Sequence, residues 1–125
     1  MIKGIGVDIV DVPRIQKIIE RNTVDFLYRA FTQFEIEFCN ERKNSYKHYA
    51  VRLAVKEAMF KALGMGWRSG LAWNDIEYAQ PNRGKPFIIT YGKIKHKLIE
   101  MEITSINVSS SFNSAHATAI IILEG

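Results

Sequence analysis

The segment from about Tyr46 to Leu63 constrains the fold more than any other part of the chain. Apolar residues cover most of the circumference that a helix over this segment would have. Gly64 follows at the position where a residue with left-handed backbone commonly ends a helix. A helix this apolar is expected to be buried on most sides, so the other elements should pack around it. Its small residues recur at every fourth position, at Ala50, Ala54, Ala58 and Ala62.

Two charged residues interrupt this apolar surface. Glu57 and Lys61 are four residues apart, so they project side by side from consecutive turns. One interpretation is a surface ion pair on a narrow exposed strip, which would contribute only a few tenths of a kcal/mol to stability. The other is a functional pair, and Asp8 favours it.

Asp8 lies in a segment with the alternation of a β-strand. Apolar residues at odd positions (Ile5, Val7, Ile9) alternate with Gly4, Gly6 and Asp8. The carboxylate therefore shares a strand face with two glycines, and we expect room there for something bulky to approach. Two acids placed like Asp8 and Glu57, with Lys61 one turn beyond, predict a site for Mg²⁺ and a phosphate. Asp11 is a third nearby acid, whose simpler role is to cap the helix that follows.

The remaining patterns predict an α+β fold with a largely antiparallel sheet packed against the long helix. With 125 residues, we expect a single domain over residues 1–125. A helix after Pro13 should bury Val12, Ile15 and Ile19, and a capping box at Thr32–Glu35 should begin another. Later segments predict a hairpin around residues 81–86, a short helix over 94–99, and strands over 103–108 and 117–123, the last buried on both faces.

The chain carries 17 Lys and Arg against 13 Asp and Glu, a formal charge of +4 that favours an acidic protein, a nucleic acid or an anionic cofactor as partner. Arg14, Lys17 and Arg21 form a basic stripe on the first helix, either a solvated face or a docking surface. The single cysteine, Cys39, is interpreted as a buried apolar residue, which fits a reducing cytoplasm. No apolar run is long enough to cross a membrane.

Nucleic-acid binding is the less favoured use of the aromatic residues near Arg68. Trp67 and Trp73 lack the interleaving of basic and aromatic residues typical of an RNA-recognition strand, so we expect packing instead. His48, His96 and His116 have no metal-ligand spacing. The alternative to an enzyme is a non-catalytic basic α+β module that binds RNA or an acidic protein.

Several motifs, in order along nearly the whole chain, resemble one family. They are Gly4–Val10, Phe31–Glu35, Arg52–Ala58 followed by Lys61–Gly64, Gly84–Pro86, and Val108–Ser111 followed by a β-strand pattern from Ala117. Together they resemble the bacterial holo-acyl-carrier-protein synthases, which are small phosphopantetheinyl transferases. The Asp8 motif combined with Lys56-Glu57 and Lys61 is the specific part of this resemblance, whereas Gly84-Lys85-Pro86 alone would be weak.

The resemblance implies transfer of 4′-phosphopantetheine from coenzyme A to a serine of acyl carrier protein, with release of adenosine 3′,5′-bisphosphate, in fatty acid biosynthesis. It implies that Asp8 and Glu57 bind Mg²⁺ and that Lys61 stabilises the leaving nucleotide. Coenzyme A would contact Arg52, Lys61, Gly64, Gly84, Lys85, Pro86 and Ser111. It also implies a cytoplasmic homotrimer with active sites between subunits.

Two further points follow from this resemblance. An acidic carrier protein would dock on the basic stripe of Arg14, Lys17 and Arg21. The family pattern also has a histidine after its serine-rich strand, where this chain has Phe112. Ser111, Asn113 or His116 could replace the contact that this histidine makes to coenzyme A.

Overall fold

Five α-helices and five β-strands are formed by the described residues, 1–65 and 71–125, of this computed structural model. In chain order they are β1 (Ile2–Asp11), α1 (Val12–Arg21), α2 (Thr23–Ala30), α3 (Gln33–Asn40), α4 (Ser45–Ala62), β2 (Ile76–Ala79), β3 (Phe87–Thr90), α5 (Gly92–Glu100), β4 (Ser105–Phe112) and β5 (His116–Glu124). A 3₁₀ turn over Trp73–Asp75 precedes β2. The predicted α+β class is confirmed.

Helix α4 is the centre of the core, as its composition predicts. All four alanines of its small-residue stripe are buried, and Gly64 follows with a φ of +68°. The stripe packs on β1 at Gly4 and Gly6, where any Cβ would collide with the carbonyl oxygens of Ala62 and Ala58. The bulky element that the two glycines admit is therefore the helix itself, which brings Glu57 and Lys61 to Asp8.

A three-stranded antiparallel sheet in the order β1-β5-β4 covers one side of α4. Asp8 is opposite Ala119 in its register. Strand β5 buries alternate residues, from Ala117 to Leu123, while Ile120 remains exposed. The prediction that this strand is buried on both faces is wrong, because only one face of the sheet packs on α4.

The hairpin and the helix after it form as predicted. Strands β2 and β3 pair antiparallel as a second, two-stranded sheet, joined by a turn in which Gly84 has a φ of +95°. Strand β2 is buried along its whole length. Helix α5 follows and buries Ile94 and Leu98.

For the N-terminal helices, some predictions are confirmed and others are wrong. Helix α1 buries Val12, Ile15 and Ile19 as expected, but Asp11 makes no side-chain capping hydrogen bond, so its predicted capping role is wrong. Helix α2 was not predicted. The capping box at Thr32 and Glu35 is confirmed, with both reciprocal hydrogen bonds present.

Three smaller predictions concern the cysteine, the tryptophans and membrane-spanning helices. Cys39 is buried, and this burial raises the pKa of its thiol to about 12. Trp73 packs against Phe26 with ring centroids 6.5 Å apart, whereas Trp67 and Arg68 lie outside the described residues. Among the described residues, no helix is both long and apolar enough to cross a membrane.

Candidate active site

Asp8 is held at the crossing of β1 and α4. Its side chain is only 10% exposed, and its Oδ1 accepts a hydrogen bond of 2.8 Å from the Lys61 ammonium. The same ammonium donates to the carbonyl of Val7 at 3.1 Å, and the Thr118 hydroxyl donates to the carbonyl of Asp8 at 2.8 Å. Both the carboxylate and its backbone are thereby fixed in position.

Glu57 faces Asp8 from the helix. Burial, followed by the hydrogen bond and the charge of Asp8, raises the pKa of Glu57 well above its ordinary range. Two carboxyl groups this close repel each other when both are ionised, so they share a proton or a cation. Asp8 Oδ2 is also buried and accepts no hydrogen bond from the described residues, so this oxygen lacks the partner that a proton or a cation would supply.

These residues fit a magnesium ion. Mg²⁺ takes one or two protein carboxylates, keeps several waters and completes its octahedron with substrate phosphates. Within residues 1–65 and 71–125, no third His, Cys, Asp or Glu joins Asp8 and Glu57 in a cluster able to enclose a metal ion. Asp11, the third nearby acid, is therefore not part of such a cluster, although it lines the same hollow as Glu57. We call Glu57 and Lys61 of α4, together with Asp8 of β1 that packs against them, the carboxylate face of α4.

A hollow of about 340 Å³ opens beside this face. Glu57 lines it together with Arg14, His116 and the apolar side chains of Ile15 and Trp73. Arg14 is the first residue of the basic stripe, which is exposed along α1 at all three positions. The stripe therefore begins at the carboxylates and leads away from them along the surface.

A larger cavity, of about 980 Å³, lies against α4 elsewhere, and we call it the arginine cavity. Helix α4, the β2–β3 hairpin and strand β4 line it, with His48, Val51, Arg52, Tyr78, Gln80, Lys85, Pro86 and Ile106–Phe112. Its volume suits a nucleotide-sized ligand. Its described lining contains cations and hydroxyl groups but no Asp or Glu.

Arg52 dominates the electrostatics of this cavity. Its side chain is fully buried, with the guanidinium carbon 4.1 Å from the ring centroid of Phe38 and 5.2 Å from that of Tyr78. Nη1 donates to the carbonyl of His48 at 3.2 Å, while Nε and Nη2 are buried without an acceptor among the described residues. A buried guanidinium with free donors is costly unless an anion binds it.

The residues predicted to contact coenzyme A divide between the two regions. The arginine cavity brings together Arg52, Lys85, Pro86 and Ser111. Gly84 lies in the adjoining turn, Lys61 belongs to the carboxylate face, and Gly64 ends α4 in an exposed position away from the cavity. Of the three candidates to replace the family histidine, only Ser111 lines this cavity, since His116 lies beside Glu57 and Asn113 accepts the backbone N–H groups of the β4–β5 turn.

The two regions lie on opposite faces of α4. At about 100° per residue, Arg52 is rotated by about 140° from Glu57 and by about 180° from Lys61. A helix with its side chains is about 10–12 Å across. One extended ligand bound to a single chain would therefore have to pass around α4 to contact both regions.

A buried ion pair supports both regions, and sequence reasoning missed it. Lys56 Nζ lies 2.7 Å from Glu35 Oε1, with both side chains fully buried, and it also donates to the carbonyls of Trp73 and Ile76. Glu35 Oε2 accepts the backbone N–H of Tyr78 at 3.0 Å. In the sequence, the capping box identified Glu35 only as a local cap. The signal for the ion pair was Lys56, because a lysine in the apolar part of α4 needs a buried acidic partner.

Comparison with known proteins identifies the class of protein. Residues 4–121 match the family model of the 4′-phosphopantetheinyl transferase superfamily. The chain belongs to this superfamily, and the predicted resemblance is confirmed. The protein is therefore an enzyme and not the non-catalytic binding module that was the alternative.

Individual relatives narrow this assignment. The chain is 39% identical to the holo-[acyl-carrier-protein] synthase of Geobacter sulfurreducens over 99% of this chain and 98% of that protein, and 40% identical to that of Syntrophus aciditrophicus over 100% and 98%. Its structure is similar to that of the synthase from Neisseria meningitidis, with a TM-score of 0.88, 31% identity and full coverage of both chains. It is also similar to the Helicobacter pylori synthase in complex with coenzyme A, with a TM-score of 0.83, 31% identity and coverage of 96% and 99%.

Proposed function

We propose that this protein transfers 4′-phosphopantetheine from coenzyme A to a serine of apo acyl carrier protein in a Mg²⁺-dependent reaction, as one transferase domain over residues 1–125. The serine oxygen forms a bond to the phosphorus that carries pantetheine, and the bond from this phosphorus to the bridging oxygen breaks. Adenosine 3′,5′-bisphosphate leaves, and the proton of the serine hydroxyl is released. We infer that the reaction serves fatty acid biosynthesis in the cytoplasm.

The observation that carries this proposal is the joining of Asp8, Glu57 and Lys61 at one crossing. Asp8 and Glu57 would hold Mg²⁺, since the largely buried Asp8 lies beside the half-buried Glu57 and its Oδ2 has no hydrogen-bond partner among the described residues. When bound, Mg²⁺ supplies positive charge against the phosphate oxygens of coenzyme A. Lys61 is 58% exposed, so its ammonium can move from Asp8 to the oxygen of the leaving phosphate.

Coenzyme A is proposed to bind between two copies of the chain. Its pyrophosphate, where the bond breaks, must lie at the carboxylate face, and the arginine cavity on the opposite face of α4 suits the nucleotide end. Since one ligand would have to go around α4, the arginine cavity of a second copy is the better position for this end. An exposed apolar sheet face, formed by Ile5, Val7, Ile9 and Ile120, supports such assembly, which we propose is a homotrimer.

The carrier protein is proposed to dock on the basic stripe of α1. Arg14 lines the hollow beside Glu57, so an acidic helix lying along Arg14, Lys17 and Arg21 would present its serine to the reacting phosphate. Charge complementarity there would mainly raise the association rate.

The decisive experiment measures the mass of apo acyl carrier protein after incubation with the protein, coenzyme A and Mg²⁺. We expect the carrier to gain one phosphopantetheine group, and the gain to disappear when the metal is removed with a chelator. No gain, under conditions where another synthase modifies the same carrier, would overturn the proposed function. Sedimentation at micromolar concentration tests the trimer separately, since a monomer would contradict the site between copies.

A further inference from the structure

His48 is a polar residue of the arginine cavity to which no role has yet been assigned. It lies one helical turn before Arg52, and its ring is in contact with Phe38 on one side and Phe112 on the other. The ring centroids are 6.0 Å apart for Phe38 and 5.8 Å apart for Phe112, with interplanar angles of 77° and 60°. Edge-to-face contacts of this kind restrict the orientation of an imidazole.

We propose that His48 is a further substrate-binding residue, whose imidazole donates a hydrogen bond to the ribose 3′-phosphate of coenzyme A beside Arg52. Residues four apart on a helix have Cβ atoms about 5–6 Å apart, so one phosphate can accept hydrogen bonds from both side chains. Arg52 adds positive charge beside the same phosphate, and two nitrogens of its buried guanidinium have no acceptor among the described residues.

The assignment to the 3′-phosphate rests on the proposed function. Coenzyme A carries a pyrophosphate and a ribose 3′-phosphate. The pyrophosphate contains the bond that breaks, so it belongs to the carboxylate face. The anion left for the arginine cavity, on the opposite face of α4, is the 3′-phosphate. The described lining of the cavity supports this, because it holds His48, Arg52 and Lys85 but no acidic residue.

In this arrangement, Phe112 has the role of orienting the imidazole of His48. The family pattern has a histidine at its position, and here the imidazole comes instead from His48, across the ring contact. Phe112 is 49% exposed and lies in the cavity wall. Its ring would keep the imidazole directed into the cavity, so the substitution at position 112 need not weaken coenzyme A binding.

The charges around His48 favour proton uptake on binding. Burial, and then the cations Arg52, Arg42 and Lys47, lower the pKa of the free imidazole. These cations come from α4 and from the segment after α3, and the part of β4 in the cavity wall adds no charged residue. A phosphate dianion would offset them and raise the pKa of His48, so binding should be stronger at about pH 7 than at about pH 8, a range in which the phosphate itself stays mainly a dianion because its second pKa is about 6.

The test is calorimetric binding of adenosine 3′,5′-bisphosphate and adenosine 5′-monophosphate, which needs no turnover. His48→Phe keeps a ring but removes the N–H donor, and His48→Gln keeps a donor. We expect the preference for the bisphosphate to fall about 10-fold in His48→Phe, which corresponds to about 1.4 kcal/mol, and to be largely retained in His48→Gln. His96→Phe, the same change at an exposed position of α5, should leave the preference unchanged.

In turnover assays, the KM of His48→Phe should rise for coenzyme A and stay constant for dephospho-coenzyme A. A preference within twofold of the wild type in His48→Phe would overturn the inference, even if the wild type transfers phosphopantetheine. If the wild type shows no transferase activity but His48→Phe still loses the preference for the bisphosphate, the binding role is supported and the proposed function is contradicted.

A measurement on the wild type covers the case in which His48→Phe does not fold. NMR titration of the three histidines should show the pKa of His48 rising when adenosine 3′,5′-bisphosphate binds and rising less with the 5′-monophosphate. His96 is the internal control. No response of His48 to the bisphosphate would contradict the inference.

Discussion

The carboxylate face and the arginine cavity use opposite sides of one helix and are built in opposite ways. At the carboxylate face, the exposed Lys61 ammonium forms an ion pair with Asp8 in the free protein. In the arginine cavity, Arg52 is fully buried with two nitrogens that find no acceptor among the described residues. On the proposed function, we expect the first region to exchange the Lys61 ammonium for Mg²⁺, and the second to gain most of its electrostatic stabilisation from a bound anion.

This difference indicates how the work of the enzyme is divided. A cation exchanged at the reacting phosphate affects the barrier to the chemical step. A guanidinium with two nitrogens that find no acceptor among the described residues should contribute mainly to ground-state binding, and hence to the KM for coenzyme A. Mutations in the two regions should therefore be distinguishable in kinetics.

The largest expected effect comes from the Glu35–Lys56 pair, because it supports both regions. Lys56→Met should lower the free energy of unfolding by about 3–5 kcal/mol, since it leaves the buried Glu35 carboxylate without its counterion. Urea denaturation measures this loss. Since Lys56 precedes Glu57 and Glu35 binds the backbone of Tyr78 in the cavity wall, kcat and the KM for coenzyme A should worsen together.

The double variant Glu35→Gln/Lys56→Met is the matched control. It removes both charges, so we expect it to be more stable than Lys56→Met alone. If Lys56→Met loses less than about 1 kcal/mol, the ion pair is not the support described here.

The next largest effect is expected from substitutions that change only the carboxylate face. Asp8→Asn or Glu57→Gln should lower kcat by on the order of 100-fold or more, because each removes a charge that would hold Mg²⁺. Calorimetric titration with Mg²⁺ should show weaker binding in both variants, while the affinity for adenosine 3′,5′-bisphosphate should change little.

Asp11→Asn provides the control, since Asp11 is on the same strand but exposed and outside the carboxylate pair. An equal loss of activity in Asp11→Asn would mean that the site uses three acids. Retention of kcat in Asp8→Asn at limiting Mg²⁺ would refute the metal assignment.

The carboxylate face was also the more predictable region. Its residues could be identified because each departs from a clear local pattern: an acid on a glycine-rich strand, and two charges on an apolar helix. The alternation of β1 and the period of α4 predicted which face of each element carries these residues. The close contact between Gly6 of β1 and Ala58 of α4 is consistent with these two faces meeting.

The arginine cavity was only partly predictable, because three separate parts of the chain form it: helix α4, the β2–β3 hairpin and strand β4. Arg52, Lys85, Pro86 and Ser111 were expected from the family resemblance, but His48 was missed, since its contact with Phe112 joins residues 64 positions apart. Strand β5 and helix α2 were misjudged for related reasons. Which face of β5 is buried depends on where α4 packs, and α2 is a short helix with no side-chain cap.

A smaller effect is expected from Arg52→Met, which isolates the arginine cavity. The KM for coenzyme A should rise on the order of 10-fold, because hydrogen bonds to a charged phosphate are lost. The free energy of unfolding should change by less than about 1 kcal/mol, because the buried guanidinium lacks acceptors for two of its nitrogens.

Arg52→Lys separates charge from geometry. The variant keeps a positive charge but loses the planar fork, so it should bind coenzyme A more weakly than the wild type and more tightly than Arg52→Met. Strong destabilisation of Arg52→Met with unchanged binding would show that the cavity arginine is structural and would remove the contrast between the two regions.

The smallest expected effect concerns binding of the carrier protein. The basic stripe of α1 should determine it, and the side chains of the carboxylate face and the arginine cavity should not. Replacing Arg14, Lys17 and Arg21 by alanine should raise the KM for acyl carrier protein roughly 3- to 10-fold at low salt, since charge steering mainly affects association. The KM for coenzyme A should stay constant, and the difference from the wild type should shrink as salt is added.

The matched control removes three positive charges elsewhere, at Lys93, Lys95 and Lys97 of α5. Both triple variants have the same net charge, so a difference between them reports the position of the charges. An equal rise in the KM for the carrier in both variants would mean that overall charge attracts it, and the stripe beside Glu57 would lose its role as the docking surface. A rise confined to the α1 variant would link the carrier to the carboxylate face, where the proposed function brings its serine to the reacting phosphate.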